Sequence, residues 1–417
     1  MDEAAVVTCF LRNRGEVLLL HRADDAETYP GRWGTVTGYV EDDDPAGTAL
    51  MEVEEETGLG DDDVELVRAG EPFVVRDDAL GRQWRIHPFL GDAGRRDVAL
   101  NEESAAAEWT SPTAILRRET VPDLWRSYER VAPTIETVAG DAEHGSAYVS
   151  IRGLEVLRDA AGAAAAGDDD WARIVEVAEA LLDARPSMAA LGNRVNRAMA
   201  GAESADDVEA AATDGIERAY AADEAAAREA ASLLDGGSVL TLSRSGTVLD
   251  GLREGAAAAI VAESRPAREG VGVAESLAGA GLDVTLCTDA AVAHLLADRD
   301  VDAVVVGADA VLPDGRVVNK TGTRAAALAA AREGVPCYAV AAVDKVQTDD
   351  VAHLEAGDPA AVYDGDAPIE AANPTFDVTP ADLLAGVVTE RGVLDAEGVT
   401  SVAEEHGELA GWREARS

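Results

Sequence analysis

Gly38-Tyr-Val-Glu-Asp-Asp-Asp-Pro-Ala-Gly-Thr-Ala-Leu-Met-Glu52-Val-Glu-Glu55-Glu56-Thr-Gly58-Leu59 carries its own start and stop signals. Asp44 before Pro45 is a good N-cap followed by a good first helical residue, and Gly58 suits the position just past a C-terminus. The bracketed helix has about three turns. Glu52, Glu55 and Glu56 stand at i, i+3 and i+4 and share one face. Leu50 and Val53 are left to face a core. Three carboxylates on one face repel unless a cation sits among them. Mg²⁺ or Mn²⁺ suits such hard oxygen donors, could hold a pyrophosphate and could lower the pKa of a bound water. The residues alone leave two readings open, a metal site and a solvated acidic face.

The flanking sequence reads as short strands. Apolar runs at 4–11 and 16–21, joined by Asn13-Arg14-Gly15, predict a hairpin. Further strands are expected at 65–68, 73–76 and 84–90, and a helix carrying Leu124, Tyr128 and Val131 follows. Residues 140–146 are small and polar, as in a linker. From 147 to 234 the pattern is helical and rich in alanine. After Ser238, apolar runs at 239–241, 258–261, 284–287, 303–306 and 337–341 alternate with helices, the signature of a parallel sheet.

In such a sheet, ligands bind beyond the carboxyl ends of the strands. Those ends carry Ser243-Arg244-Ser245-Gly246, Glu263-Ser264-Arg265-Pro266-Ala267-Arg268-Glu269-Gly270, Gly307-Ala308-Asp309, Asn319-Lys320 and Asp344-Lys345. Lys320 and Lys345 are the only lysines among 35 basic residues. With Arg244, Arg265 and Arg268 they predict five cations around one phosphate-binding pocket. The alternative is a set of surface ion pairs.

Length and composition set the frame. The 417 residues, 47% of them hydrophobic, suffice for two or three cored domains. Eighty acidic against 35 basic residues give a net charge of −45, which repels nucleic-acid backbones. The acid excess, dispersed along the chain, with few lysines and 4% aromatics, is read as adaptation to high salt, where counterions screen the self-repulsion. Cys9, Cys287 and Cys337 form no CxxC pair and no disulfide framework. Cys287 and Cys337 lie in apolar runs and are read as core. The isolated His21, His87, His294 and His353 are read as structural, and His406 has no second histidine at zinc-motif spacing. Neither a signal peptide nor a membrane-length apolar run is found, so a soluble cytoplasmic protein of a high-salt cytosol is expected.

Two stretches resemble known families. Gly38–Leu59, the lead-in Pro30-Gly31-Arg32-Trp33-Gly34 and His87-Pro88-Phe89-Leu90 resemble the Nudix hydrolases over residues 1–137. The resemblance implies an α/β/α sandwich with a mixed sheet. It also implies Glu52, Glu55 and Glu56 as catalytic Mg²⁺ or Mn²⁺ ligands, Glu103 as a further ligand, and Gly38 and Gly58 as structural glycines. The arginine of the family's motif is Met51 here, and the loop after Gly38 is one residue short.

From residue 147 onward the chain resembles the family of translation initiation factor 2B α, β and δ subunits, which includes ribose-1,5-bisphosphate and methylthioribose-1-phosphate isomerases. Arg185-Pro186-Ser187, the 263–270 motif, Gly307-Ala308-Asp309, Asn319-Lys320, Phe376-Asp377-Val378-Thr379-Pro380 and Thr389-Glu390-Arg391-Gly392 carry that resemblance. The family's isomerases pair a cysteine with the aspartate of the Gly-Ala-Asp motif. Asp309 matches the aspartate, but Ser243 holds the cysteine position, and a serine hydroxyl replaces a thiol poorly in proton transfer.

The expected domains are 1–137, a linker 138–146, a helical subdomain 147–235 and a Rossmann-like α/β domain 236–417. The expected ligand-binding residues are Arg185, Ser243, Arg244, Ser245, Arg265, Arg268, Asp309, Asn319, Lys320 and Lys345, with Asp309 also a catalytic candidate. The function expected first is a Mg²⁺-dependent Nudix hydrolase of a nucleoside diphosphate derivative, such as ADP-ribose or a nucleotide sugar. It is fused to a domain that binds a sugar phosphate or nucleotide. The alternatives are a non-hydrolytic initiation-factor-like regulator and, less favoured because of Ser243, a sugar-phosphate isomerase. Homo-oligomerisation through the C-terminal part is expected, with no nucleic-acid or membrane partner.

Overall fold

The computed structural model describes residues 2–40, 43–78, 80–167 and 170–416. Glu41 and Asp42 of the shortened loop lie outside the described residues. The chain divides into two compact units: Met1–Thr137 with Arg152–Val177 and Ala202–Glu217, and Val138–Ile151 with Ala178–Gly201 and Arg218–Ser417.

In the first unit, strand Asp2–Asn13 is the spine of a mixed sheet. It pairs antiparallel with Glu16–Arg22 and Val36–Tyr39 and parallel with Arg82–Ala93. Arg14 and Gly15, with φ of 51° and 80°, form the two-residue turn that suits a twisted hairpin. Side chains of the spine alternate between faces. Val7, Cys9 and Leu11 pack with Val53 and Leu59 around helix Pro45–Thr57, while Phe10 packs with Leu124, Tyr128 and Val131. Each face of the sheet therefore carries a helical layer. The short strands Trp33–Gly34 and Val36–Tyr39 and the strand Ser104–Thr110 join this sheet without having been expected from the sequence.

Helix Ser146–Ala166 supplies this unit with a buried ionic network. Arg12 is held by Asp92 at 2.6 Å and by Glu155 at 3.3 Å. Arg158 pairs with Asp159 at 2.8 Å and donates to the carbonyl of Gly15.

The second unit holds a seven-stranded sheet. Its order is Asp283–Cys287, Ala258–Ala262, Ser238–Leu242, Ala303–Gly307, Cys337–Val340, Gly386–Thr389 and Gly392–Leu394. Only the last strand pairs antiparallel. This is the doubly wound arrangement, and its order reverses between Ser238–Leu242 and Ala303–Gly307, where a crevice opens at the strand ends. A small antiparallel sheet of Ala310–Val311, Val317–Lys320 and Phe376–Thr379 lies outside it. Cys337 sits in the core, where burial pushes its thiol up to about 12, and Cys287 packs against the same cluster.

The stretch 138–146, expected as a linker, begins inside helix Ile135–Gly140. Its main chain is gripped by arginines: Arg185 donates to the carbonyls of Val138 and Asp141, and Arg244 to that of Glu143. No helix among the described residues is long and apolar enough to cross a membrane.

Candidate functional site

Helix Pro45–Thr57 forms as its sequence dictates. The Asp44 carboxylate accepts the Gly47 N–H at 3.1 Å, and Gly58 closes the helix at φ 71°. The carboxylates on this helix differ in depth. Glu56 is 5% exposed, Glu52 is partly buried and Glu55 is exposed. Glu56 accepts the Thr37 N–H at 2.9 Å. Burial pushes its carboxyl up to about 8, with Glu103 and Glu52 adding repulsion against the Thr37 bond and Arg22. Glu52 lies directly against strand Val36–Tyr39, since a Cβ on Gly38 would stand 1.8 Å from its Oε1. Glycine at 38 is therefore a matter of space. Met51 is exposed.

The donor chemistry fits a divalent cation, because a buried carboxylate opposed by two neighbours is relieved by positive charge. The residues are not gathered into a finished cage, however: among those described, no three His, Cys, Asp or Glu side chains converge closely enough for one.

The second constellation lies at the switch point of the parallel sheet. Ser243 leaves strand Ser238–Leu242 at φ 62°, a strained conformation for a non-glycine residue. Its N–H is held by Ser264 Oγ at 2.7 Å. Ser264, itself at φ 59°, and Arg265 donate their N–H groups to Asp289 at 2.7 Å each. Ser245 caps helix Gly246–Gly255. Gly307 lets the neighbouring strand end approach, since a Cβ there would stand 2.9 Å from that of Ser245.

These ends open into a cavity of about 930 Å³ lined by Arg185, Ser243, Arg244, Ser245, Asp309, Asn319, Lys320 and Lys345. That is a small-molecule size. A smaller cavity of about 280 Å³ shares Glu269, Lys320 and Thr375 with it and is lined by Arg265. The expected ring of five cations is thus not gathered in one cavity. Arg268 lines neither and pairs with Glu263 at 3.3 Å.

The main cavity is also less basic than expected. Asp141, Glu143, Asp223, Glu224, Asp250, Glu269, Asp309 and Glu355 join its wall. Lys320 pairs with Glu269 at 3.2 Å, and Lys345 donates to the Ala308 carbonyl at 2.7 Å. Burial raises the Asp309 carboxyl, and Lys345 and Lys320 offset this only in part. Asp309 is therefore biased towards holding a proton.

Helix Ala189–Met199 fixes this wall. Arg194 and Arg197 grip Asp344 at 2.9 and 2.6 Å, and Asn193 donates to the carbonyls of Asp344 and Val346. Asp344 is held down to about 2: burial opposes this, but the two guanidiniums outweigh it. Two other motifs prove architectural. Asp377 accepts N–H groups at the start of helix Thr323–Glu333, and Glu390 accepts the Val343 N–H at 3.0 Å. Asn319 donates to Thr323 at 2.9 Å.

Sequence reasoning missed Glu269 and Asp223 as site groups. Glu269 accepts the Ser243 hydroxyl at 2.8 Å. Asp223 sits on the long helix Ala205–Leu234 with its buried Oδ1 lacking a hydrogen-bond partner. Glu269 stands inside the 263–270 strand-end motif, a signal that could have found it, whereas nothing in the sequence separates Asp223 from the many other acids of the chain.

Comparison with known proteins places both halves. Residues 142–396 match the model of the initiation factor 2 subunit family, and residues 1–131 match that of the NUDIX domain. A ribose 1,5-bisphosphate isomerase of Haloferax volcanii is 30% identical over 66% of this chain and 94% of its own length. A methylthioribose-1-phosphate isomerase of Pseudomonas putida is 38% identical, but the match spans 38% of this chain and 48% of that protein. Among solved structures, the translation initiation factor eIF-2B of Pyrococcus horikoshii matches with a TM-score of 0.53 and 26% identity, over 62% of this chain and 94% of that one.

Proposed function

From the premise that the chain belongs to the initiation factor 2 subunit family and begins with a NUDIX domain, we propose a protein with two chemical sites. The N-terminal site hydrolyses a nucleoside diphosphate derivative such as ADP-ribose or a nucleotide sugar. The observation that carries this is the repulsion focused on buried Glu56 by Glu52 and Glu103. Glu52, Glu55, Glu56 and Glu103 would hold Mg²⁺ or Mn²⁺. When bound, such an ion neutralises pyrophosphate charge and makes water a better nucleophile. The Thr37 N–H orients Glu56.

The test is turnover of ADP-ribose and nucleotide sugars at molar KCl with Mg²⁺, wild type against Glu56→Gln. Cleavage that survives the substitution rejects the assignment. No cleavage by folded wild type moves the weight to the regulatory reading.

The C-terminal cavity binds a sugar phosphate. A second reading, isomerisation, is favoured by the chemistry named for the Haloferax and Pseudomonas relatives and by half-buried Asp309 in the cavity wall, whose carboxyl is raised by desolvation. Against it stands only the serine at 243. A high-salt cytosol and a homo-oligomer built through the C-terminal half complete the proposal.

A further inference from the structure

Ser243 is not alone. Its hydroxyl donates to Glu269 Oε2 at 2.8 Å, and the other oxygen of that carboxylate faces Lys320 Nζ at 3.2 Å. Both oxygens of Glu269 are therefore oriented, and the residue borders both cavities. The hydroxyl is equally fixed. Ser243 is locked by its left-handed backbone and by the bond from its N–H to Ser264, which Asp289 holds in turn. Oriented groups of this kind are what proton transfer requires.

We infer that Glu269, positioned by Ser243 and Lys320, is the proton-transfer group of the C-terminal cavity. It replaces the thiol that the serine cannot imitate. This rests on the isomerase reading of the cavity.

The chemistry balances for a sugar ring that carries a phosphate on C1. The bond from C1 to the ring oxygen breaks, its electron pair leaves with the oxygen, and that oxygen takes the proton of Asp309. The C2 proton passes to Glu269, and the C–H electron pair closes a C1=C2 double bond. The enol O–H then returns its proton to Asp309 as C2=O forms. The electron pair of C1=C2 takes the proton from Glu269 at C1. Each carboxyl group ends as it began, and no oxidant or reductant is consumed. The division of labour suits the two acids: burial raises the Asp309 carboxyl, which favours its part as proton donor, and Glu269 is held in place by Lys320 and Ser243.

The experiment uses the full chain at molar KCl, with ribose 1,5-bisphosphate as the probe. Calorimetry measures binding and NMR measures conversion to the ketose, for wild type, Glu269→Gln, Glu269→Asp and Ser243→Ala. Glu269→Gln should lower kcat about 100-fold or more, the scale of a lost general base, while leaving Kd within about threefold. Glu269→Asp should recover part of the rate, and Ser243→Ala should lose about tenfold through lost orientation. A kcat within about threefold of wild type in Glu269→Gln overturns the inference. If that variant does not fold, an unchanged kcat in Ser243→Ala overturns it instead. Wild type that binds the sugar without converting it also overturns it but leaves the binding site standing. Wild type that does not bind overturns the reading beneath it as well.

Discussion

Glu56 and Asp344 are both buried carboxylates, 5% and 4% exposed, yet their surroundings push them in opposite directions. Glu56 rises to about 8 because burial is joined by the negative charge of Glu103 and Glu52. Asp344 falls to about 2 because Arg194 and Arg197 overcome burial. The first is left in electrostatic want, as a binding site must be. The second is fully paired and ties helix Ala189–Met199 to the loop that presents Lys345. Burial alone identifies neither; the sign of the neighbours separates a site from a scaffold.

The sharpest way to break this contrast is to neutralise each carboxylate. Glu56→Gln should abolish Mg²⁺-dependent hydrolysis, by about 100-fold or more, yet leave metal-free stability unchanged or improved in a denaturant titration. Asp344→Ala should do the reverse. Stranding the buried guanidinium of Arg194 and the half-buried one of Arg197 costs about 3 kcal/mol, which chemical denaturation would register in unfolding of the C-terminal unit. A Glu56→Gln variant that is destabilised as much as Asp344→Ala would erase the distinction.

The pH dependence sharpens it next. A carboxyl raised in the folded state contributes stability that is present below its unfolded value and lost as pH rises. For Glu56 that window runs from 4.5 to about 8. Asp344 behaves oppositely: its contribution is present above 3.8 and lost as pH falls towards about 2. Thermal unfolding at molar KCl should therefore show a loss of stability between about pH 5 and 8 that Glu56→Gln removes. Added Mg²⁺ should stabilise the wild type more at the upper end of that range than at the lower.

Smaller effects come from the supports. Gly38→Ala would drive a methyl into Glu52, whose Oε1 lies 1.8 Å from the site of the new Cβ. Hydrolysis should fall about tenfold or more, while overpacking costs about 1–3 kcal/mol. Ser264→Ala removes the acceptor for the Ser243 N–H. It should cost about 1 kcal/mol, seen in denaturant midpoints, without touching hydrolysis.

Much of this was legible beforehand where a local rule left one solution. The cap at Asp44, the αL glycine at 58 and the turn at Arg14-Gly15 follow from backbone sterics, and the structure has each. The parallel strands were equally plain, because short apolar runs between helices have few other uses. What the chain concealed depends on partners distant in sequence. The small sheet of Ala310–Val311, Val317–Lys320 and Phe376–Thr379 has strands too short to show a period. Glu269 lies in the quoted 263–270 motif, but nothing marks it out from its motif neighbours until Ser243 and Lys320 are seen against it. The five-cation pocket failed for a related reason: in so acidic a chain, an exposed arginine readily finds a carboxylate in place of a ligand, as Arg268 finds Glu263.

The wall of the main cavity at residues 139–143 is held by arginine contacts to main-chain carbonyls, from Arg185 to Val138 and Asp141 and from Arg244 to Glu143. A carbonyl looks the same whatever residue carries it. Side chains along that wall can therefore drift in evolution, or be varied in a library, without unseating the wall itself. Repertoire can change there while architecture stays put, which makes this the natural place to retune which ligand the cavity accepts.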